Sequence, residues 1–291
     1  MFLSIIKLKD LAVQAVSGKH YFKLGKMKKL FFVISVAVVW GSCNTNNYLP
    51  GFDFKLFKGT PVWELAKAVE KEDVKKIEII LKDTAIKVDF HEPKFGNTLL
   101  MLAVANNKKA SVKKLLEVGA NPNERDYYDN ATPLIYASDN YSEDCDSMML
   151  KWMIGHHGDV NYIQNIDRIE NTGAHSLVKR TVLMIASRNN CLGIVKVLVN
   201  AGADINNYTY YEGYGAITEA LIQDNLEIAK YLIIDMQAKI PDYCYIRNKG
   251  EKDEQKLTIT DMLNEQHYEI NSNNYKYKKE IISYLKSKAL K

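Results

Sequence analysis

Residues 98–123 read TLLMLAVANNKKASVKKLLEVGANPN. In this stretch Val112, Leu115 and Leu116 follow one another at the spacing of one face of an α-helix. Gly119 comes shortly after them, where a glycine can take the left-handed backbone conformation that closes a helix. The stretch therefore predicts helical structure that ends at a glycine turn.

The same pattern returns along the chain at a nearly constant interval. TPLIYA at residues 132–137 begins 34 residues after Thr98, and TVLMIA at residues 181–186 is followed by GADIN at residues 202–206. A further unit opens at residues 215–220, 34 residues after Thr181. Such a period is typical of solenoids, in which a single unit cannot bury its apolar face and neighbouring units must stack.

These units resemble the ankyrin repeat, which opens with Thr-Pro-Leu-His-x-Ala, continues with a Leu-Leu pair and ends with Gly-Ala-x-x-Asn. The resemblance extends over residues 60–291, with a weaker first unit at residues 63–89 and a lysine-rich last unit from Thr258. It implies an all-α solenoid of about six helix–turn–helix units with β-hairpin fingers, whose atypical terminal units face water. It also implies that the fingers and the first helices line a concave, protein-binding surface.

The finger positions are rich in tyrosine. Tyrosine gives a large contact area at a low cost in conformational entropy and is enriched in binding hot spots. We therefore predict that the finger tyrosines contact a protein partner, although eighteen tyrosines in the whole chain leave a general abundance as the alternative. The predicted partner-binding residues are Tyr127, Tyr128, Tyr162, Tyr208, Tyr210, Tyr211 and Tyr214.

Three insertions interrupt the period. They comprise about five residues around 140–146, about eleven between residues 161 and 181, and about eight between residues 241 and 258. Insertions in repeat proteins are placed in loops, often on the binding face, and neutral surface variation is the alternative explanation.

A targeting signal precedes the repeats. Met27-Lys28-Lys29 is followed by the apolar run LFFVISVAVVW at residues 30–40, which is shorter than the roughly 20 residues of a membrane span. The ending Gly41-Ser42-Cys43 resembles the lipobox of bacterial lipoproteins, with Trp40 in place of the usual leucine. The resemblance implies cleavage after Ser42 and a lipid on Cys43, while ordinary secretion and an uncleaved anchor are the alternatives.

These patterns divide the chain into four predicted parts. Residues 1–26 are an upstream extension from a misplaced start codon, residues 27–42 a signal peptide, residues 43–59 a lipidated tether and residues 60–291 the repeat domain. The predicted location is the bacterial cell envelope. Asn44 is not the aspartate that holds enteric lipoproteins at the inner membrane, which favours the outer membrane or the periplasmic side.

The charge of the chain argues against a nucleic-acid partner. The whole chain carries +4, and residues 1–42 contain seven lysines and one aspartate, so the remainder carries −2. Nucleic-acid binders need a basic surface to neutralise phosphates. We therefore predict a protein partner, no nucleic acid, contact with the membrane only through the anchor or signal, and a monomeric state.

No catalytic or cofactor motif stands out in the sequence. It contains no phosphate-binding glycine-rich loop, no nucleophile-elbow serine and no His-Glu-x-x-His pair. His156 and His157 are adjacent and so do not share a helix face, which predicts a solvated helix end rather than a metal site. We predict no catalytic residues, no metal and no cofactor.

Cys145, Cys191 and Cys244 remain beside the predicted lipid site. Cys145 and Cys191 fall near the start of the second helix in consecutive units. Stacked helices lie about 8–10 Å apart, whereas a disulfide needs Cα atoms within about 7 Å. We therefore expect free, partly buried thiols, with a disulfide as the alternative.

Three functions are consistent with these observations. The first is an envelope-tethered adaptor that binds a protein on its concave face. The second is an immunity protein or inhibitor that neutralises a toxin or phospholipase in the periplasm. The third is an enzyme that uses the insertion at residues 162–180, where acid–base side chains occur at Asp167, Arg168, Glu170 and His175.

Overall fold

The computed structural model describes residues 51–139, 145–169, 175–209 and 213–289. Cys43, Tyr210, Tyr211 and the predicted signal peptide lie outside these ranges, as does Glu170 of the large insertion. Within them, no helix is both long enough and apolar enough to cross a lipid bilayer.

The described residues form a series of short helices in pairs. Each pair consists of a first helix, a tight turn and a second helix. A short 3₁₀ helix, Phe54–Phe57, precedes the first pair, and a π-helical turn, Tyr231–Asp235, directly follows the second helix of the fifth pair. The pairs are α1 Trp63–Glu70 and α2 Val74–Ile80, α3 Leu99–Ala105 and α4 Lys109–Glu117, α5 Pro133–Ser138 and α6 Met148–Gly155, α7 Val182–Arg188 and α8 Leu192–Asn200, α9 Ala216–Ile222 and α10 Leu226–Lys230, and α11 Ile259–Glu265 and α12 Asn273–Ala289.

The helices stack in two rows. Each first helix packs on the next one, from α1 through α3, α5, α7 and α9 to α11. In the second row α2 packs on α4, α4 on α6, α8 on α10, and α10 on α12. The predicted helical repeat solenoid is therefore confirmed as an architecture.

Two small sheets add strands to this helical fold. β1 (Ile163–Ile169) pairs antiparallel with β2 (His175–Thr181), and Ile163 lies opposite Thr181. β3 (Tyr245–Arg247) pairs with β4 (Gln255–Leu257). Residues 246–257 belong to a separate compact unit from the helix stack. The largest insertion, between residues 161 and 181, was expected to be a loop. It contains β1 and β2 and forms a hairpin directly before α7.

Threonine starts the first helix of several units. The hydroxyls of Thr98, Thr132 and Thr181 accept hydrogen bonds from the backbone N–H groups three residues later, at 3.3, 3.4 and 3.1 Å. Each such cap stabilises its helix by about 1 kcal/mol. Pro133 follows Thr132 in the first helical turn, where the missing N–H costs no hydrogen bond. The repeated threonine of the sequence is therefore a helix cap.

The core lies mainly in the row of first helices. In α3 every residue from Leu99 to Val104 is buried, and so is every residue from Val182 to Ser187 in α7. The second helices bury one face only, as Val112, Leu115 and Leu116 do in α4. Small residues let the first helices approach one another closely. They are Ala103, Ala137, Ala186 and Ala220, all buried.

Asparagine side chains connect consecutive units. The side-chain carbonyls of Asn123, Asn161 and Asn206 accept hydrogen bonds from the backbone N–H groups of Asp159, Asp204 and Lys239, each at 2.8 Å. In each case the two residues lie at equivalent turns of neighbouring units. The asparagine that closes the Gly-Ala-x-x-Asn pattern therefore fixes the spacing between units.

The residues before α1 are packed against the helices. Phe54 and Phe57 are fully buried. The backbone carbonyls of Gly51 and Phe52 accept hydrogen bonds from the side chains of Asn97 and Asn106, at 3.0 and 2.9 Å. The packed domain thus includes residues that the sequence analysis placed in the tether.

The expectation of free thiols at Cys145 and Cys191 is wrong. These residues form a disulfide with a Cα–Cα distance of 5.4 Å. The expectation assumed that both cysteines lie within stacked helices. Cys145 instead lies in the segment before α6, and Cys191 is the residue that caps α8, so the loops approach more closely than helix axes do. Cys244 is a buried thiol, and burial raises its pKa to about 12.

Candidate functional site

One surface of the helix stack is formed by the loops that precede α3, α5, α7 and α9, together with those helices. We call it the finger face. It contains the β1–β2 hairpin and the predicted tyrosines that the structure describes, which are Tyr127, Tyr128, Tyr162, Tyr208 and Tyr214. It therefore collects the features that the sequence analysis assigned to partner binding.

Tyr127 and Tyr128 are the exposed aromatic residues among those of this face that the structure describes. Their side chains are 69% and 73% exposed. The Tyr127 ring stacks on the His91 ring with a centroid distance of 5.3 Å, and the Tyr128 ring meets Phe95 edge-on at 6.2 Å. Aromatic surface that is already held in place binds a partner without a large loss of side-chain entropy.

A buried carboxylate organises the finger that carries these tyrosines. Asp126 accepts hydrogen bonds from the backbone N–H groups of Tyr128, Asp129 and Ala131, at 2.8, 2.6 and 3.0 Å. The Tyr136 hydroxyl donates to the same carboxylate at 2.8 Å, and burial together with Asp126 raises the pKa of Tyr136. The finger is therefore fixed to α5 by a network of hydrogen bonds.

The preceding finger uses the same device. Glu92 is fully buried and accepts hydrogen bonds from the backbone N–H groups of Lys94, Phe95 and Asn97. Gly96 follows in a left-handed conformation with φ of +73°, and a Cβ atom there would collide with the Tyr127 ring. Glycine is thus required where the two fingers meet.

Sequence reasoning missed these two carboxylates, although a signal was present. Glu92 lies six residues before the cap Thr98, and Asp126 lies six residues before the cap Thr132. An acidic residue at one fixed offset from a helix cap marks a repeated structural position. In the later fingers His175 and Thr209 take this offset, so the device is confined to the earlier fingers.

The other described tyrosines use their hydroxyl groups within the fold. The Tyr162 hydroxyl donates to the Asn130 carbonyl at 2.7 Å, and the Tyr208 hydroxyl donates to the Lys239 carbonyl at 3.0 Å. Tyr214 donates to the Glu219 carboxylate at 3.3 Å. The structure therefore brings Tyr127 and Tyr128 together as open surface and places these three as ties within and between units.

The histidine pair lies at the end of α6. His156 and His157 are both exposed, and His157 has a left-handed φ of 66°. The His157 carbonyl accepts a hydrogen bond from the Asn123 side chain at 2.9 Å. In the described part of the chain, no group of three His, Cys, Asp or Glu residues could hold a metal ion.

Comparison with known proteins identifies the repeats. A family model described as "Ankyrin repeats (3 copies)" matches residues 65–164 and 146–242, which together cover more than half of the chain. The chain belongs to the ankyrin-repeat family. Ankyrin repeats indicate a protein–protein interaction module, and the family is typically a binding scaffold rather than an enzyme.

The chain is also similar to a much larger curated relative. This is the "Ankyrin repeat and KH domain-containing protein mask-1" of Caenorhabditis elegans, which is 24% identical over 194 residues. The match covers 60% of this chain and 7% of the relative. The chain therefore spans a small part of that relative's length.

Proposed function

We propose that this chain is a protein-binding ankyrin module tethered in a bacterial cell envelope, with the finger face as its binding surface. The observation that carries this proposal is the pair of exposed tyrosines, Tyr127 and Tyr128, on a finger held by the buried Asp126 carboxylate. Binding hot spots are enriched in tyrosine, and a tyrosine pair on a rigid finger is therefore suited to anchor a partner. We further propose that the solenoid has six units and acts as a monomer.

Two observations support the envelope location. The first is the basic and apolar segment at residues 27–42, followed by Cys43. The second is the Cys145–Cys191 disulfide, because disulfides form and persist in oxidising compartments outside the bacterial cytosol. Together they favour an exported domain anchored by a lipid on Cys43.

Metabolic labelling tests the anchor. Cells that express the full chain are fed an alkyne fatty acid, and the chain is isolated and examined for the label. We expect the wild-type chain to carry label and Cys43→Ala to carry none. The double variant Cys145→Ser/Cys191→Ser retains Cys43 and should be labelled like the wild type. Label on Cys43→Ala would rule out lipidation at this position.

Affinity capture from the source cell's envelope extract tests the binding face. The baits are the full chain and its variants Tyr127→Ala/Tyr128→Ala and Ile79→Ala. Ile79 is 65% exposed on α2, so its replacement removes exposed apolar surface outside the finger face. We expect one protein to be retained by the wild type and Ile79→Ala but lost from the tyrosine variant. Equal retention by all three baits would contradict the assignment of the face.

The nature of the captured protein distinguishes an adaptor from an inhibitor. A toxin or phospholipase whose activity falls on binding would support the immunity function. A protein without such activity would support the adaptor.

A further inference from the structure

A small cavity opens on the finger face between α5 and α7. Its volume is about 200 Å³, below the roughly 300–1,000 Å³ of sites for cofactors and drug-sized ligands. The apolar part of its lining comes from Ala131, Ile135, Ile166 and Ile185. The cavity therefore has room for a single side chain or chain end rather than for a cofactor.

Two arginines bring positive charge to this cavity. Arg188, on α7, lies 3.4 Å from the Asp139 carboxylate, which also accepts a hydrogen bond from the Asn189 side chain at 3.2 Å. Arg180, on β2, lies opposite Gln164 of β1 in the hairpin register. Both arginines line the cavity, as do Asp129 and Asp139.

The Nε–H group of Arg180 is not paired within the described part of the chain. Its Nε atom is buried, and no described residue accepts a hydrogen bond from it. A buried donor without a partner costs free energy, more so when the group is charged. Glu219 is buried near Arg180, and its carboxyl group accepts a hydrogen bond from the Tyr214 hydroxyl at 3.3 Å rather than from this guanidinium. Arg180 as a whole is only partly buried and lines the cavity, so its guanidinium can meet an acceptor that enters from outside the chain.

We propose that this cavity binds a carboxylate of the protein partner, held by the guanidinium of Arg180 and seated over the three isoleucines. This inference rests on the proposed binding function and adds the chemistry of the partner. A planar guanidinium can donate two parallel hydrogen bonds to a carboxylate. The short apolar stem of an acidic residue can pack on the three isoleucines that line the cavity. A phosphate dianion has no apolar stem and would be repelled more strongly by Asp129 and Asp139.

Nuclear magnetic resonance of the arginine side chains tests the proposal. The chain has five arginines, so the ¹⁵N-labelled full chain in detergent gives few Nε–Hε signals, and Arg180→Gln identifies one of them. Three probes are titrated. They are N-acetylglutamate amide with a side-chain carboxylate, N-acetylglutamine with a terminal carboxylate, and N-acetylglutamine amide with neither.

We expect at least one carboxylate probe to shift the Arg180 signal with saturation, while the neutral amide leaves it unmoved. Which probe binds tells whether the carboxylate belongs to an acidic side chain or to a chain terminus. Arg125 is exposed and does not line the cavity, so Arg125→Gln should bind like the wild type. In Arg180→Gln, the affinity for the carboxylate probe, followed through the signals of other cavity residues, should fall at least about tenfold.

No saturable shift with either carboxylate probe, or an equal shift with the neutral amide, would overturn the proposal. Affinity capture that depends on Tyr127 and Tyr128 would still stand in that case. The failure would then concern the carboxylate and leave the binding face in place.

Discussion

At the scale of single residues, the polar residues that recur in the repeats act by forming hydrogen bonds. Thr98 and Thr132 cap helices, and Asn123 reaches the next unit. These roles could be predicted in part, because a threonine before an apolar run is a known helix start. The partners of Asp126 could not be predicted, since they depend on how the finger folds back on α5.

Asp126→Ala is expected to destabilise the domain. The change leaves three backbone N–H groups and the Tyr136 hydroxyl without their shared acceptor. We expect the free energy of unfolding, measured in urea, to fall by roughly 3 kcal/mol. The exposed Asp242 serves as the control, and Asp242→Ala should change stability by no more than about 0.5 kcal/mol. Equal effects of the two changes would contradict the role of Asp126.

Glu219 is expected to make stability depend on pH. Burial raises the pKa of this carboxyl in the folded state, against the charges of Arg188 and Arg180. Above the unfolded pKa of about 4.3, the unfolded state therefore holds fewer protons than the folded state. Stability then falls as pH rises, until the folded carboxyl has also lost its proton.

The variant Glu219→Gln removes this dependence. We expect the stability of this variant relative to the wild type to increase as pH rises from about 4 towards 8. Urea unfolding at each pH measures the difference. Parallel stability curves for the two chains across this range would show that Glu219 titrates alike in both states.

At the scale of elements, the helices could be predicted from the sequence, whereas the β1–β2 hairpin could not. The apolar spacing in residues 98–118 specifies α3 and α4 because a helix face is a local property. In β1 the isoleucines fall at 163, 166 and 169, which does not show the alternation of a strand. The pairing of Ile166 with Val178 across the hairpin, both buried, supplies what the local pattern lacks.

The disulfide is expected to stabilise the junction between the third and fourth units. It joins cysteines 46 residues apart, and a loop of that size contributes typically 2–4 kcal/mol. Cys145→Ser/Cys191→Ser should lower the free energy of unfolding by about this amount. A reductant should destabilise the wild type equally and leave the double variant unchanged. Equal sensitivity of both chains to the reductant would show that the effect lies elsewhere.

At the scale of the whole molecule, stacked units create one extended surface. The ankyrin family and the solenoid architecture could be read from the spacing of the repeats, because each unit repeats the same local interactions. The sequence could not predict which tyrosines remain exposed on that surface. The hydroxyls of Tyr162, Tyr208 and Tyr214 form hydrogen bonds with distant or neighbouring residues, and these depend on the folded structure. Among the described tyrosines of this face, Tyr127 and Tyr128 are the exposed pair, and we propose that they contact the partner.

Site-specific photo-crosslinking in living cells tests this account most directly. A benzophenone amino acid replaces either Tyr128 on the finger face or Ile79 on α2, positions that are 73% and 65% exposed. We predict that light produces a covalent adduct with one protein from position 128 and none from position 79. An adduct from position 79 alone, or from neither position, would contradict the claim that the finger face binds a protein partner.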